Sequence, residues 1–598
     1  MSSMDSAPQL DLQPPENPAP VGPAPDQASP AKTWRRFFGQ GLLYGRDADR
    51  GRKVKARIGL AIAAFVIVFS VIATRLVMFA VAPDGRNWHR SAPAERMSAT
   101  RPEIVDRNNQ ILATDVIAPS LFAEPRKIQD VDEAVELLTA VLPEFDATEL
   151  RDRLASRKGF VWLKREISAK QAQEIRRLGI PGVGFMPENR RVYPNNAEVS
   201  HVLGYVNVDN QGQAGIEKWL DARGLAALHL AGLATDRLQT PIELSLDLRV
   251  QHALREELIA AAEKYRALAA AGVIVDVLTG EVLAMESLPD YDPNNPRQAV
   301  DPQRFNRITN GLFELGSTYK ALTLAMAIDS GKVTLNSTFD ARQPLVFGKF
   351  TIDDFHAQKR ILTVPEIFTY SSNIGTAKMA LSLGIEHHKA FLRKLGQLTR
   401  LNTELPESRE PMYPKYWAEI NSATIAFGHG LSVTPLQAVM AISALVNGGY
   451  LVPPTFLKRS PAEARELAVR VIKPETSEAM RYLMRLNVEK GTASRAEVKG
   501  YYVGGKTGTS EKVVDGHYSK HKILNTFTAV LPADNPRYLL LIMLDEPQPT
   551  ADSNGGATAG LNAAPTAAKV ISRVASMLGL EPRYDLPLAE RLILAKWR

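Results

Sequence analysis

The 598-residue chain contains no cysteine. That excludes disulfides, thiolate nucleophiles and cysteine-held zinc or iron–sulfur centres. It leaves the compartment open, because a large core is stable in an oxidising space without cross-links. The ten histidines show no metal-ligand spacing; no metal or cofactor is expected, and His387-His388 reads as an exposed loop or helix end. Net charge is also modest. A net +7 over this length does not mark a nucleic-acid binder. No internal repeat occurs, and long apolar runs are absent with one exception. What remains is 45% hydrophobic, ordinary globular material in a chain too long for a single core.

Residues 1–30 hold eight prolines and almost no large apolar side chains, so they cannot bury enough surface to offset chain entropy and are expected to be disordered. Residues 32–57 carry nine Lys/Arg against two Asp. The one long apolar run follows, IGLAIAAFVIVFSVIATRLVMFAVA over 58–82, enough for a membrane-spanning helix. Its basic N-terminal flank predicts an N-terminus in the cytoplasm and everything after 82 outside. More than fifty residues before it, and Pro83 after Ala82, argue for an uncleaved anchor over a signal peptide.

Beyond the anchor, residues 83–240 mix short strand-like pieces with charged helical stretches such as SAKQAQEIRRLG (168–179). From 241 the texture tightens. ELSLDLRVQHALREELIAAAEKY (243–265) predicts a strand, an Asp247 cap and an amphipathic helix. AAGVIVDVLTGEVLAMES (270–287) predicts a hairpin turning at Thr279-Gly280. Strand-like YYVGGKTGT, NTFTAVLPA and RYLLLIMLDEP return near the end, before a closing helix over 565–580. Strands at both ends with helices between them predict an antiparallel sheet covered by helices, an α+β fold.

Two stretches carry chemistry. In ELGSTYK (314–320), Ser317 stands one turn ahead of Lys320, so the side chains share a face. A lysine with a depressed pKa is a competent base for a serine nucleophile. Alone the spacing is unspecific, and Ser29–Lys32 repeats it inside the proline-rich tail. In GYYVGGKTGT, Gly500, Gly505, Lys506 and Thr507 satisfy the phosphate-loop pattern. A phosphate loop must open a helix, however, and GTSEKVVDGHYSKHK has no helical stripe; Tyr501-Tyr502-Val503 looks like an edge strand. Between the two stretches lies TYSSNIGTAK, with the chain's single Ser-x-Asn, Ser371-Ser372-Asn373; Lys506-Thr507-Gly508 is its single Lys-Thr-Gly. Ser-x-x-Lys, Ser-x-Asn and Lys-Thr-Gly in that order form the motif set of penicillin-binding proteins and class A β-lactamases.

On these motifs the chain resembles the class B penicillin-binding proteins, on their septal branch. RPEIVDRN (101–108), RVYPNNAEVSHVLGYVNVDNQGQAGIEKWLD (191–221), TGEVLAMESLPDYDPNNP (279–296), FGHGLSVTPLQ (427–437) and GGATAGLNAAP (555–565) extend the likeness from the anchor to about residue 580. One departure is Leu315, where the family usually has proline. The resemblance implies a disordered cytoplasmic tail (1–57), a transmembrane helix (58–82), an elongated non-catalytic pedestal like the family's dimerisation domain (83–240), and a transpeptidase domain with a five-stranded antiparallel sheet (241–598). It implies a serine D-Ala-D-Ala transpeptidase/carboxypeptidase of the bacterial inner membrane, with a periplasmic catalytic domain at the division site and inhibition by β-lactams. Ser317 would be the nucleophile, Lys320 its base, Ser371 a proton relay, Asn373 a holder of the substrate amide, and Lys506 with Thr507 and Thr509 the site of the terminal carboxylate. Gly508 would be substrate-binding with Thr507 and Thr509, Gly504 and Gly505 would permit close backbone approach, and the Ser317 and Thr509 N–H groups would make the oxyanion hole. Partners would be peptidoglycan stem peptides, β-lactams, the membrane, the septal glycan polymerase FtsW and other division proteins, and no nucleic acid. An elongation-specific relative and a non-catalytic division scaffold are the alternatives; a soluble β-lactamase would lack the anchor and residues 83–240.

Overall fold

A computed structural model describes residues 50–81, 100–224, 240–514, 516–553, 555–585 and Ala589. The proline-rich segment, anticipated as disordered, lies outside the described residues up to position 49.

Among the described residues of the N-terminal unit there is one helix, Arg50–Val81. It starts eight residues before the apolar run, so residues 50–57, expected to belong to a disordered tail, are helical: the Arg, Lys and Ala of RGRKVKAR favour helix and outweigh Gly51. Within it, Ile58–Arg75 has a mean hydropathy of 2.3 and is long and apolar enough to cross a membrane.

Residues 96–598 form the second compact unit. Its first part is a five-stranded sheet built around the long strand Ile111–Ala123, which pairs with Ile104–Val105, Val161–Lys164 and Val183–Val192. Ile242–Glu243 joins it in parallel to Ile104–Val105. Helices Val131–Val141, Ala147–Leu154 and Ala169–Leu178 are capped by Asp130, Asp146 and Ser168, as the residue types at those positions favour. They cover a small core of Leu121, Leu138, Leu150, Leu163 and Ile175. At the base, Glu217 is fully buried between two arginines: Arg101 Nε at 2.7 Å and Arg191 Nε at 2.6 Å. Asp221 and Asp115 complete the network on Arg101 and Arg191.

The second part opens with α1 (Leu248–Lys264), capped by Asp247, and the hairpin β1 (Ala269–Asp276) and β2 (Val282–Leu288). After the helical region, which includes α2 (Lys320–Asp329), α3 (Asn373–Leu383) and α4 (Pro474–Lys490), the chain returns as β3 (Gly504–Val514), β4 (His517–Leu531) and β5 (Tyr538–Asp545), then α5 (Ala563–Met577). The sheet is antiparallel, ordered β3-β4-β5-β1-β2. Both faces are covered, so the central strands read as continuous apolar runs. Val273, Val275, Leu539, Leu541 and Met543 face one core with α2 and α4; Ala270, Ile274, Leu540, Ile542 and Leu544 face the other with α1 and α5, the period of two that a pleated strand imposes.

The expectation for His387-His388 fails at its second residue. His388 is not exposed: it is buried in helix Ile385–Lys394, edge-on to Trp417 and bonded through Nδ1 to Ser422 Oγ at 3.1 Å. Its partners lie about thirty residues along, beyond the reach of a local reading. Only His387 is exposed.

Candidate active site

Ser317 sits in a 3-10 turn, Gly316–Tyr319, and Lys320 is the first residue of α2. The sequence suggested one continuous α-helix. Gly316, at φ +54°, permits the tighter entry, and a Cβ there would stand 2.7 Å from the carbonyl oxygen of Thr509. A Cβ at Gly508 would lie 2.4 Å from Leu315 O and from Thr318 Oγ1. The nucleophile turn and edge strand β3 are therefore in backbone contact, which only glycine allows at these two points. Leu315, at the departure from proline, is buried.

Lys320 and Lys506 are both fully buried, and both reach Ser371. Each Nζ is 3.0 Å from Ser371 Oγ; Lys320 also donates to the Ser371 carbonyl, and Lys506 to the Thr507 carbonyl at 3.2 Å. Ser371 holds a left-handed φ of +59°, costly for a non-glycine residue and sustained only where the surroundings over-determine it. Those surroundings are visible. Ser372 caps α3 through Gly375 N–H and donates to Asp354 Oδ2 at 2.7 Å, while Asp354 Oδ1 accepts from Ile374 N–H at 2.9 Å.

Burial pulls Lys320 well below the ordinary lysine value, the charge of Lys506 pulls it further, and Asp354 opposes both. Burial alone lowers Lys506 to about 7. Two ammonium groups cannot share one hydroxyl in a dry site, so the pair holds one proton fewer than two exposed lysines would.

Ser317 is part-exposed and is bonded to neither amine; the Lys320 donors rest on Ser371. Asn373 stands apart from the lysines as well, its Nδ2 donating to Asp353 O at 2.9 Å, which leaves an amide oxygen and one N–H free to meet a ligand. Thr507 Oγ1 pairs with Thr492 Oγ1 at 2.7 Å. Thr509 Oγ1 accepts the Ala559 N–H at 3.1 Å, so its own proton is free to be donated. GGATAGLNAAP thus does more than pack α5: it orients Thr509. Lys506, Gly508 and the turn lie on one side of β3. The strand continues to Val514 where a phosphate loop would start a helix, so the nucleotide reading is rejected.

Sequence reasoning missed Asp354, Thr492 and Asn487, whose Nδ2 holds the Gly505 carbonyl at 2.8 Å. None belongs to a recognisable pattern; each is defined by what it touches.

A helix-covered antiparallel sheet whose edge strand carries Lys-Thr-Gly beside a buried Ser-x-x-Lys and Ser-x-Asn defines the penicillin-recognising acyl transferases as a class. Residues 270–572 match the family described as "Penicillin binding protein transpeptidase domain", and 96–223 match the "Penicillin-binding Protein dimerisation domain". The chain is 38% identical over 502 residues to "Probable peptidoglycan D,D-transpeptidase FtsI" of Caulobacter vibrioides, covering 82% of this chain and 84% of that protein. It is 34% identical over 523 residues to "Probable peptidoglycan D,D-transpeptidase PenA" of Neisseria meningitidis, covering 84% and 88%. A crystal structure of a peptidoglycan synthetase from Bifidobacterium adolescentis shares the fold, with a TM-score of 0.63 at 24% identity over 82% of this chain and 97% of that one. The chain belongs to the class B penicillin-binding proteins of the FtsI type.

Proposed function

We propose that this protein cross-links peptidoglycan stem peptides at the division septum through a Ser317 acyl-enzyme, as a D,D-transpeptidase with attendant carboxypeptidase activity and sensitivity to β-lactams. The observation that carries the reading is the pair of buried lysine amines converging on Ser371 Oγ, one of them from Lys320, which follows Ser317 by one turn. Neutral Lys320 takes the Ser317 proton as Oγ attacks the carbonyl between the two terminal D-alanines. The peptide C–N bond breaks, the proton passes through Ser371 to the departing amine, and D-Ala leaves. An acceptor amine then attacks the ester, its proton returning to Ser317 by the same route; water in its place gives carboxypeptidase turnover. Charged Lys506, with the Thr507 and Thr509 hydroxyls, holds the substrate carboxylate. Asn373 holds an amide of a peptide that adds to β3 as a further strand, and the Ser317 and Thr509 N–H groups stabilise the oxyanion.

Three further parts complete the reading. The basic flank of the apolar helix supports an N-terminus in the cytoplasm and a periplasmic catalytic domain. The reading divides the chain at 57, 82 and 240 into a tail, anchor, pedestal and transpeptidase. The pedestal and anchor would engage the glycan polymerase FtsW and other division proteins.

Detergent-solubilised protein labelled with a fluorescent penicillin tests the chemistry. Wild type gives a lasting covalent band and Ser317→Ala gives none. Folded wild type without a band would refute the serine mechanism and favour a non-catalytic scaffold. Depletion separates the septal role, which gives filaments, from an elongation role, which gives rounded cells.

A further inference from the structure

Glu314 lies three residues before Ser317 and belongs to none of the three motifs. Its half-buried carboxylate accepts the Gly430 N–H on Oε1 at 2.9 Å and the Tyr518 phenol at 3.2 Å on Oε1 and 3.1 Å on Oε2. Its backbone carbonyl accepts Ser510 Oγ–H at 2.6 Å. One residue therefore fastens the nucleophile turn to three separate pieces of chain: loop 427–430, strand β3 one residue past Thr509, and the outer part of β4. Loop 427–430 in turn abuts the nucleophile turn, since a Cβ at Gly428 would fall 2.0 Å from Gly316 O. The ring of His429 packs 5.5 Å from that of Tyr518, closing the arrangement on the loop side.

We infer that Glu314 is a positioning residue for acyl transfer, setting the spacing between the Ser317 turn and the Thr509 end of β3. It touches no substrate. It acts through the two N–H groups assigned above to the oxyanion hole, and so rests on the proposed serine mechanism. Oxyanion donors act only when held at a fixed distance from where charge develops. The turn and the edge strand belong to segments almost 200 residues apart; glycine contacts and the Glu314 carbonyl–Ser510 bond bring their backbones together, and the Glu314 carboxylate adds a brace to Gly430 and, through Tyr518 on β4, to the strand paired with β3. A carboxylate suits this task because it accepts several hydrogen bonds at once, each strengthened by its charge. Burial raises the Glu314 pKa, while the Gly430 and Tyr518 bonds oppose that rise.

The test separates non-covalent penicillin binding (Ks) from acylation (k2) by stopped flow on the full-length solubilised protein, per folded molecule as scored by circular dichroism and thermal melting. Glu314→Ala is expected to lower k2 by about tenfold to a hundredfold with Ks changed by less than about twofold, because the lost interaction is felt where charge develops. Glu314→Gln, which keeps an acceptor oxygen, should recover most of k2. Tyr518→Phe, a conservative change at an exposed ring that removes only one donor, should cost about threefold in k2. If Glu314→Ala folds and keeps wild-type k2, the inference is overturned. It is equally overturned if Gln is no better than Ala and both raise Ks, since that describes general distortion. Should Glu314→Ala not fold, Tyr518→Phe and Tyr518→Ala carry the test, and wild-type k2 in both overturns the inference. Wild type that is never acylated refutes the serine mechanism and this inference together, whereas acylated wild type beside an equally fast Glu314→Ala refutes this inference alone.

Discussion

Lys320 Nζ and Lys506 Nζ stand at the same distance, 3.0 Å, from the hydroxyl oxygen of Ser371. They come from a helix start and an edge strand 186 positions apart in the chain, and each is shut off from water. Under the proposed mechanism, this shared confinement would let Lys320 act as the base and leave Lys506 to receive the substrate carboxylate.

The first prediction concerns pH. Lys320 must be neutral to act as base, and its pKa lies well below the ordinary lysine value. Lys506 must be charged to hold a carboxylate, and it loses its proton at about 7. For the free enzyme, k2/Ks should therefore rise through the low Lys320 pKa and fall as pH climbs past about 7. An ester of the penicillin carboxylate should lack the alkaline fall. The sign for stability is opposite in origin: between about 7 and the ordinary value of 10.5, the unfolded chain binds the proton that folded Lys506 lacks, so stability rises with pH over that window. Lys506→Met should flatten the rise in a pH series of melting curves while abolishing acylation.

Asp354 should matter to acylation although it lies outside every motif. It anchors Ser372 and Ile374 on either side of Asn373, and thereby the strained Ser371. Asp354→Ala should lower k2 by about tenfold, and Asp354→Asn less, because the amide keeps one acceptor. Equal rates in wild type and Asp354→Ala would sink the idea.

Gly316→Ala tests the backbone contact. A methyl group 2.7 Å from Thr509 O at φ +54° forces the turn and the strand apart, so labelling by penicillin should fall below about one per cent of the wild-type rate. Melting should shift by only a few degrees, because the strain is local.

In the pedestal, Glu217 is buried between Arg101 and Arg191. Glu217→Ala leaves Arg101 with Asp221 and Arg191 with Asp115, but it strands two buried Nε–H donors and opens a cavity, and should destabilise the fold by about 2–4 kcal/mol. Denaturation of the full-length protein would check this; a change under about 0.5 kcal/mol would mean the arginines find water or other partners.

Much of this protein was legible before folding was considered. Ser317, Lys320, Ser371 and Lys506 could be named because each motif is short and local, whereas Tyr501-Tyr502-Val503, read as edge strand, precede β3, which begins at Gly504 after Tyr502 takes a left-handed φ of +46°. The central strand at 538–545 showed itself as an unbroken apolar run. Other features had no local signature. Asp354 is one of two adjacent acids in a loop, and Thr492 is an ordinary threonine after a helix; only their neighbours distinguish them. His388 looked solvated because Trp417 and Ser422, which bury it, arrive from another segment.

The sequence by itself determined an apolar helix long enough for a membrane, the apolar strand runs, the helix capped by Asp247 and the order of three reactive motifs, because hydrophobic pattern, cap chemistry and side-chain type are local properties. Tertiary structure alone decided that two lysines would be dry and share one hydroxyl, that Ser317 would enter through a 3-10 turn, and that Glu314 would tie that turn to β3. Desolvation, close backbone approach and convergence of hydrogen bonds depend on which distant segments meet, and no stretch of chain carries that information alone.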